Sequence, residues 1–302
     1  MSGVCVLGGV NLDLTFRALS GGMQPGTSNP GRASVSPGGV ARNIADHLAR
    51  WGVSVSLIAA VGDDPLSASV LDATRAAGVD VDRVRRVPDS VCGLYAALLD
   101  DDGELAMAAS AMEAVGHVDE AYVEACADTI AASSYLVVDA NVGPAALQRA
   151  ISIANERGVP VIAEPVSVEK ARTIAACNGT VFAATPNENE APVILDPTAP
   201  LEAAYVIVTK GSAGVDVFRP QESWGQPQVT LAGAPVAPVD VTGAGDALVA
   251  GLTYALCEGS DMETGVRLGM ELARETVLRP GSAPADIDRE FVAAAYARLH
   301  QR

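Results

Sequence analysis

Lysine is nearly missing from this chain: of 302 residues only Lys170 and Lys210 are lysine, and neither follows a glycine. That removes the Gly-Lys-Ser/Thr element of a Walker phosphate loop, whose lysine reaches the terminal phosphates. A G-x-G-x-x-G dinucleotide fingerprint is absent as well, because Gly243-Ala244-Gly245 is followed by Leu248 where the third glycine would stand. No G-x-S-x-G segment offers a nucleophile elbow. The three histidines, His47, His117 and His300, are too few and too separated for an H-E-x-x-H zinc site. His47 is expected to be a packing or surface residue, since a lone imidazole seldom carries chemistry without partners. The five cysteines form no C-x-x-C and are odd in number, which fits reduced, mostly buried thiols. No run of about 18 apolar residues is present to span a membrane, and the N-terminal stretch lacks the pattern of a secretory signal. A cytoplasmic protein is therefore expected. Basic residues number 20 against 37 acidic ones, a net charge of −17. Such a chain repels polyphosphate backbones, so a nucleic-acid polymer is not the expected partner.

What the chain does have is core material. Hydrophobic residues make up 49% and charged residues 19%, enough for one large α/β domain over residues 1–302. Apolar strand-like runs (Val4–Leu7, Val53–Ala60, Tyr135–Val138, Val159–Ala163, Val181–Ala184, Tyr205–Thr209) alternate with helical stripes. The helices are predicted over Val40–Arg50, Pro65–Ala77, Asp119–Ala132, Pro144–Glu156, Gly243–Cys257, Met262–Val277 and Asp286–Leu299. That rhythm predicts a doubly wound, mostly parallel sheet whose ligands sit at the C-terminal ends of its strands. Two pieces break it. Leu94–Leu99 and Glu104–Ala109 flank the hairpin signal Asp102-Gly103, and Arg32–Ser36 is a further short strand. They predict a small separate β-sheet, with elements near 14–36 and 93–112, whose apolar face needs cover. A polar surface loop is expected over 221–228.

The densest constellation is Asp240-Val241-Thr242-Gly243-Ala244-Gly245-Asp246-Ala247, just ahead of the apolar stretch Leu248–Leu256. Small residues admit a ligand close to the backbone, and free amides at a helix start form an anion hole. Local physics alone divides this segment evenly between such a site and an ordinary glycine-rich helix start. Four further clusters fall at the same predicted sheet edge: Asp13, Ser36-Pro37-Gly38-Gly39-Val40-Ala41-Arg42-Asn43, Asn187-Glu188-Asn189-Glu190, and Lys210-Gly211-Ser212-Ala213-Gly214. Turns alone do not explain so many.

Taken together, the chain resembles the PfkB/ribokinase family of sugar and nucleoside kinases over nearly its whole length. Gly38-Gly39-Val40-Ala41-Arg42-Asn43 with Gly52 and Gly62 is similar to the family's N-terminal signature, and Asp240–Asp246 to its specific C-terminal one. Within the family, Ser28-Asn29-Pro30-Gly31, the segment at 38–45, Tyr95–Asp100, Glu164-Pro165-Val166-Ser167 and Val241–Leu252 resemble the pseudouridine kinase branch. The resemblance implies that Asp246 is the general base for a nucleoside 5′-hydroxyl. The amides of Gly243, Ala244, Gly245 and Asp246 would stabilise the transferring phosphoryl group. Asp13, Gly38, Gly39 and Asn43 would hold the ribose. Asn187 and Glu190 would position Mg²⁺ and phosphates, while Thr209, Gly211 and Gly214 would line ATP. Asp240 would belong to a K⁺ loop with partners near 279–282. The small sheet would act as a lid and join two copies into a homodimer.

Two departures stand out. Where that branch carries an Asn-Asp pair before the lid methionine, this chain reads Ser110-Ala111-Met112-Glu113. Between Glu190 and Tyr205, where the family inserts a full helix, Pro192, Pro197 and Pro200 leave little room for one. Other acceptors, ribose or adenosine, are the alternative within the family. A non-catalytic sugar- or nucleoside-binding regulator is the alternative outside catalysis, and Asp246 with Asn187 and Glu190 argues against it, since a binder needs no base.

Overall fold

In the computed structural model, residues 3–19, 22–222 and 225–300 are described. Val4–Leu7 (β1) is four apolar residues, every one buried, as expected of a strand covered on both faces. The chain continues through Asn11–Ala18 (β2), Gly31–Gly38 (β3), Val40–Arg50 (α1), Val55–Gly62 (β4), Pro65–Ala76 (α2), Val84–Val87 (β5), Leu94–Leu99 (β6) and Leu105–Ala111 (β7). Glu120–Ala125 (α3), Ala127–Ala131 (α4), Tyr135–Asp139 (β8), Pro144–Arg157 (α5), Val161–Glu164 (β9), Val168–Ala175 (α6) and Gly179–Ala184 (β10) follow. The last part comprises Ala191–Ile194 (α7), Leu201–Thr209 (β11), Gly214–Phe218 (β12), Val229–Ala232 (β13), Ala244–Cys257 (α8), Met262–Val277 (α9) and Arg289–Leu299 (α10).

Nine strands form one sheet in the order β13-β12-β11-β10-β9-β8-β1-β4-β5. It is parallel from β11 to β5, and β12 and β13 extend it antiparallel. One face packs on α1, α2, α8, α9 and α10, the other on α3 to α7. The expected doubly wound α/β sheet is therefore observed. Alternation along it assigns side chains to the two cores: Cys5 and Leu7 face one, Val4 and Val6 the other.

The second sheet has four strands in the order β3-β2-β6-β7. Its register sorts the side chains cleanly. Asp13, Ser36, Tyr95 and Ser110 are partners across one face. Leu14, Val35, Ala96 and Ala109 share the opposite face with Phe16, Leu98 and Met107. On that apolar face Val35 is 59% and Met107 63% exposed.

Several elements differ from the sequence reading. The helix expected over Asp119–Ala132 is broken at Cys126 into α3 and α4. The strands β5, β12 and β13 and the helix α6, the strands too short for a clear period, are additional, and β2 falls partly within the small-sheet elements expected near 14–36 but begins earlier, at Asn11. Between Glu190 and Tyr205 there is one helical turn, α7, with Pro192 in it, and β11 begins already at Leu201. The freed length is used by extending the strand. Residues 223 and 224 of the expected surface loop lie outside the described residues; Gln221, Glu222 and residues 225–228 are exposed.

The helix starts set up the site. Asp64, Asp119, Ser167, Asp261 and Asp288 cap α2, α3, α6, α9 and α10 with their own side chains. Helices α1 and α8 start instead from Gly39 and Gly243, at φ 100° and 78°. A side chain at Gly39 would run into the Gly9 carbonyl and one at Gly243 into that of Ser282. Both helices are held by the late part of the chain. Trp51, at the end of α1, donates Nε1–H to Ile287 O at 2.8 Å and packs edge-on against Tyr254. His47 is a packing residue: fully buried, it donates through Nε2 to Ser282 O at 3.1 Å, and burial pushes its pKa down to about 3.

Helices α8 and α9 approach closely at Gly251 and Gly269. A Cβ on Gly251 would lie 2.8 Å from the Gly269 Cα. Gly251→Val is therefore expected to lower stability by about 1–3 kcal/mol through overpacking. The urea midpoint of unfolding measures this, and an unchanged midpoint would mean that the two helices separate freely.

Candidate functional site

The site assembles around Asp139, the last residue of β8, which is completely buried. Its Oδ2 accepts from Gly9 N at 2.9 Å and from Ala41 N at 2.8 Å, and its Oδ1 from Asn141 N at 2.8 Å. One carboxylate thus caps α1 from a distant strand and fixes the loop between β1 and β2. Burial raises its pKa, and these amides oppose that shift.

Asp13 lies in β2 opposite Ser36, on the polar face of the small sheet. Its Oδ1 accepts from Asn11 Nδ2 at 2.6 Å. Burial raises its pKa; the Asn11 bond and the Arg42 charge lower it, and Asp240 raises it. A Cβ on Gly38 would strike the Asp13 carboxylate, so this acid can stand here only against glycine. Asp13, Gly38 and Gly39 are brought together as expected. Asn43 joins them in the first turn of α1, but its bonds run to the protein: Nδ2 donates to Asp246 Oδ2 at 2.7 Å, and Oδ1 accepts from Ser282 Oγ at 3.1 Å.

Asp246 sits in the first turn of α8 and is buried. The first intrahelical bond of α8 runs from Ala247 N to Gly243 O, so the amides of Ala244, Gly245 and Asp246 precede it at the positive end of the helix dipole. Burial pushes the Asp246 carboxyl up to about 7. The Asn43 bond and Arg42 pull it down, while the charges of Asp139 and Asp13 push it up. Asp240 holds the approach to this helix: Oδ1 accepts from Thr242 N at 2.9 Å and Oδ2 from Gly281 N at 3.1 Å. It thereby ties the loop before α8 to the one after α9.

A cavity of about 250 Å³ adjoins the α8 start, lined among others by Glu164, Thr185, Asn187, Glu190, Thr209 and Gly245. Glu190 is buried, and its two oxygens accept from Asn187 N at 2.9 Å and Asn187 Nδ2 at 2.7 Å. Thr209 reaches the same place because its amide donates to Pro186 O at 2.9 Å. Gly211 and Gly214 do not line this cavity. They form the turn from β11 to β12, and a Cβ on Gly214 would collide with the Leu231 carbonyl of β13.

Sequence reasoning assigned no role to several residues here. Glu164 ends β9 beside Glu190 and Asp246; Thr185 Oγ1 donates to its Oε2, and burial pushes its pKa up to about 8. Val166, also on the cavity wall, is held at φ 68°, a strained position for a β-branched residue, with its amide donating to Glu164 Oε1 at 3.2 Å. Lys170 donates to Asn141 Oδ1 at 2.5 Å. The available signal for Asp139 and Glu164 was a single acid closing an apolar strand at the ligand edge. Among the described residues no group of three or more His, Cys, Asp or Glu is arranged to hold a metal ion, and no helix is long and apolar enough to cross a membrane.

The comparisons agree with this geometry. A pseudouridine kinase of Escherichia coli is 29% identical over 280 residues, covering 87% of each chain. A ribokinase of Bacillus subtilis is 27% identical over 292 residues, 93% of this chain and 95% of the relative. The structure of Arabidopsis thaliana ribokinase complexed with ribose and ATP superimposes with a TM-score of 0.82 at 20% identity, covering 98% of both chains, which establishes the shared fold. The model of the pfkB family of carbohydrate kinases matches residues 1–288. With the glycine-started helix carrying Asp246, and Asp13 and the Glu190 cavity at the same sheet edge, the chain belongs to the pfkB carbohydrate kinase family.

Proposed function

We propose that this protein transfers the terminal phosphoryl group of ATP to the 5′-hydroxyl of a nucleoside, with pseudouridine as the preferred acceptor. The observation that carries the reading is a buried carboxylate, Asp246, in the same helical turn as three amides that precede the helix's own hydrogen bonds. Asp246 takes the proton of the acceptor hydroxyl as its oxygen bonds to phosphorus. The amides of Gly243, Ala244, Gly245 and Asp246 receive the charge that builds on the phosphoryl oxygens. The bond to the leaving ADP then breaks. Asp13, Gly38, Gly39 and Asn43 form the ribose side. A charged acceptor such as Asp13 can take two hydroxyl hydrogen bonds.

Asn187, Glu190 and Thr209 form the nucleotide side, with Gly211 and Gly214 shaping the turn beyond it. The Glu190 carboxylate suits Mg²⁺, which needs few protein ligands when phosphates and water complete its shell, while Asn187, whose Oδ1 already accepts from the amides of Asn189 and Glu190, holds that carboxylate in place. Bound Mg²⁺ would neutralise charge between the terminal phosphates. Asp240, with carbonyls near 279–282, is the proposed K⁺ position. The polar face of the small sheet, carrying Asp13, closes the acceptor side as a lid on a single ribokinase-like body. Its apolar face, with Val35 and Met107, suits a second copy of the chain. The enzyme is proposed to act in the cytoplasm on small molecules.

Asp246→Asn is expected to lower kcat by about 10²–10⁴-fold or more while both substrates still bind. In the wild type, kcat should rise with pH through about 7, because the base works only as the carboxylate and Asp246 is protonated below that value. Wild-type kcat in the variant, with an unchanged circular dichroism spectrum, would remove Asp246 from the mechanism.

Asp13→Ala should raise KM for the nucleoside roughly 10²-fold and leave KM for ATP nearly unchanged. A loss of thermal stability with an unaltered nucleoside KM would instead make Asp13 a strand residue only.

The acceptor is tested by comparing kcat/KM for pseudouridine, uridine and ribose at saturating MgATP and K⁺. Pseudouridine is expected to lead, because its extra ring N–H can be matched by a site that then rejects uridine. A tenfold preference for ribose, or for adenosine added to the panel, would overturn the assignment to pseudouridine and leave phosphoryl transfer standing.

A further inference from the structure

Arg42 is a guanidinium held out of water in the first turn of α1, 3% exposed, inside a site built mainly of carboxylates. Burying a cation is costly unless its donors are matched. Its Nη1 donates to Asp46 Oδ2 at 3.2 Å, one turn along the same helix. Asp46 does not depend on it for neutralisation, since its other oxygen pairs with Arg50. The remaining bonds of Arg42 point into the site. Nε and Nη2 both donate to Asn43 Oδ1, at 3.2 and 2.6 Å. With Ser282 Oγ at 3.1 Å, three donors meet on that one amide oxygen.

This arrangement decides which way the Asn43 amide faces. With its oxygen toward Arg42 and Ser282, Nδ2 donates to Asp246 Oδ2 at 2.7 Å. Turned over, the amide would set its oxygen against the Asp246 carboxylate and its NH₂ against the guanidinium, exchanging attraction for repulsion at both ends. We propose that Arg42 is a positioning residue for phosphoryl transfer: its guanidinium fixes the Asn43 amide, and the Asn43 amide fixes the Asp246 carboxylate that takes the acceptor's proton. The proposal rests on reading Asp246 as that base.

A lysine cannot take the same role, because one ammonium lacks the planar fork that spans Asp46 and Asn43 together. Arg42 also balances charge. The groups facing Asp246 are Asp139 from β8, Asp13 from β2, Glu164 from β9, and Asn43 and Arg42 from α1. Arg42 is the one cation in that set.

Arg42→Met, Arg42→Lys and Asp46→Asn are compared with the wild type in kcat, KM for each substrate and Tm. Both Arg42 variants should lose about tenfold to a hundredfold in kcat with KM for ATP unchanged, as expected when a charge-assisted hydrogen bond is removed. The acid limb of the kcat profile should move to higher pH in Arg42→Met, because the cation that favoured the ionised base is gone. Asp46→Asn, which leaves the Arg42 bonds to Asn43 in place, should keep most of kcat. A second measurement needs no substrate: the titration midpoint of the Asp246 carboxyl carbon by NMR should rise in Arg42→Met. Wild-type kcat and midpoint in Arg42→Met would overturn the proposal. So would an Asp46→Asn variant that reproduced the whole kinetic loss, since Arg42 would then serve only the helix.

If Arg42→Met does not fold, Arg42→Lys and Ser282→Ala each strip donors from the Asn43 oxygen. A lower kcat at wild-type Tm in Arg42→Lys supports the proposal, and wild-type kcat in Arg42→Lys overturns it whatever Ser282→Ala shows. A wild-type protein that phosphorylates no acceptor defeats the kinase reading alone, and the Asp246 titration then decides whether Arg42 governs that carboxylate.

Discussion

The rest of the site depends on one buried carboxylate. Asp139 stands at the end of a central strand and accepts from the amides of Gly9, Ala41 and Asn141. Left without it, those amides would be buried donors without partners, which costs roughly 1–3 kcal/mol each. With it, the β1–β2 loop and the first turn of α1 are fixed to the same strand end. Arg42 and Asn43 take their places from that turn, and Asp13 from the strand beginning just after the loop. A single carboxylate at the sheet edge thus sets the positions of Asp13, Arg42 and Asn43 together.

Helices α1 and α8, which start from glycines at positive φ, use their N-termini in opposite ways. In α1 the first amides are taken by the protein: Ala41 N by Asp139 and Arg42 N by the Gly9 carbonyl. In α8 the amides ahead of Ala247 precede the first intrahelical bond. The amides at the start of one helix are bonded within the protein, and those at the start of the other lie ahead of its own ladder. The division fits a chain with two lysines. Lys210 is paired with Asp216 at 2.8 Å, and Lys170 is hydrogen-bonded to Asn141. Arg42, the cation beside Asp246, spends donors on Asp46 and Asn43, which leaves the backbone dipole as a source of positive potential at the start of α8.

Much of this was legible in the sequence, for identifiable reasons. Strands such as Val4–Leu7 are continuous apolar runs because both faces of the parallel sheet are covered, and that pattern survives without any knowledge of partners. Gly38, Gly39 and Gly243 stand where an added side chain would collide with neighbouring atoms, so composition alone points at them. The places of Asp139 and Glu164 were not legible, because what distinguishes these residues is which amides and hydroxyls converge on them from other segments. The bond from Asn43 to Asp246 joins residues 203 apart, and no local pattern carries that. The segment after Glu190 was only half legible: its prolines limit the helix to one turn, but nothing local announced that β11 would lengthen to Leu201 to use the remaining chain.

The tie from Trp51 to Ile287 spans 236 positions, and it bears on the birth of the molecule. Helix α1 is among the first elements to be translated, yet part of the surface that finally covers it comes from α8 and from Ser282 and Ile287, ahead of α10. At roughly 5–20 residues per second, synthesis leaves that helix waiting on the order of 10–50 s for its permanent neighbours. Throughout that interval the Trp51 indole N–H has no Ile287 carbonyl to donate to, and Tyr254 is not yet there to pack against the ring. The bonds from Trp51 to Ile287, from His47 to Ser282 and from Asn43 to Asp246 form only when the closing segments are released, so a ribosome stalled before α8 carries a first helix that has none of them.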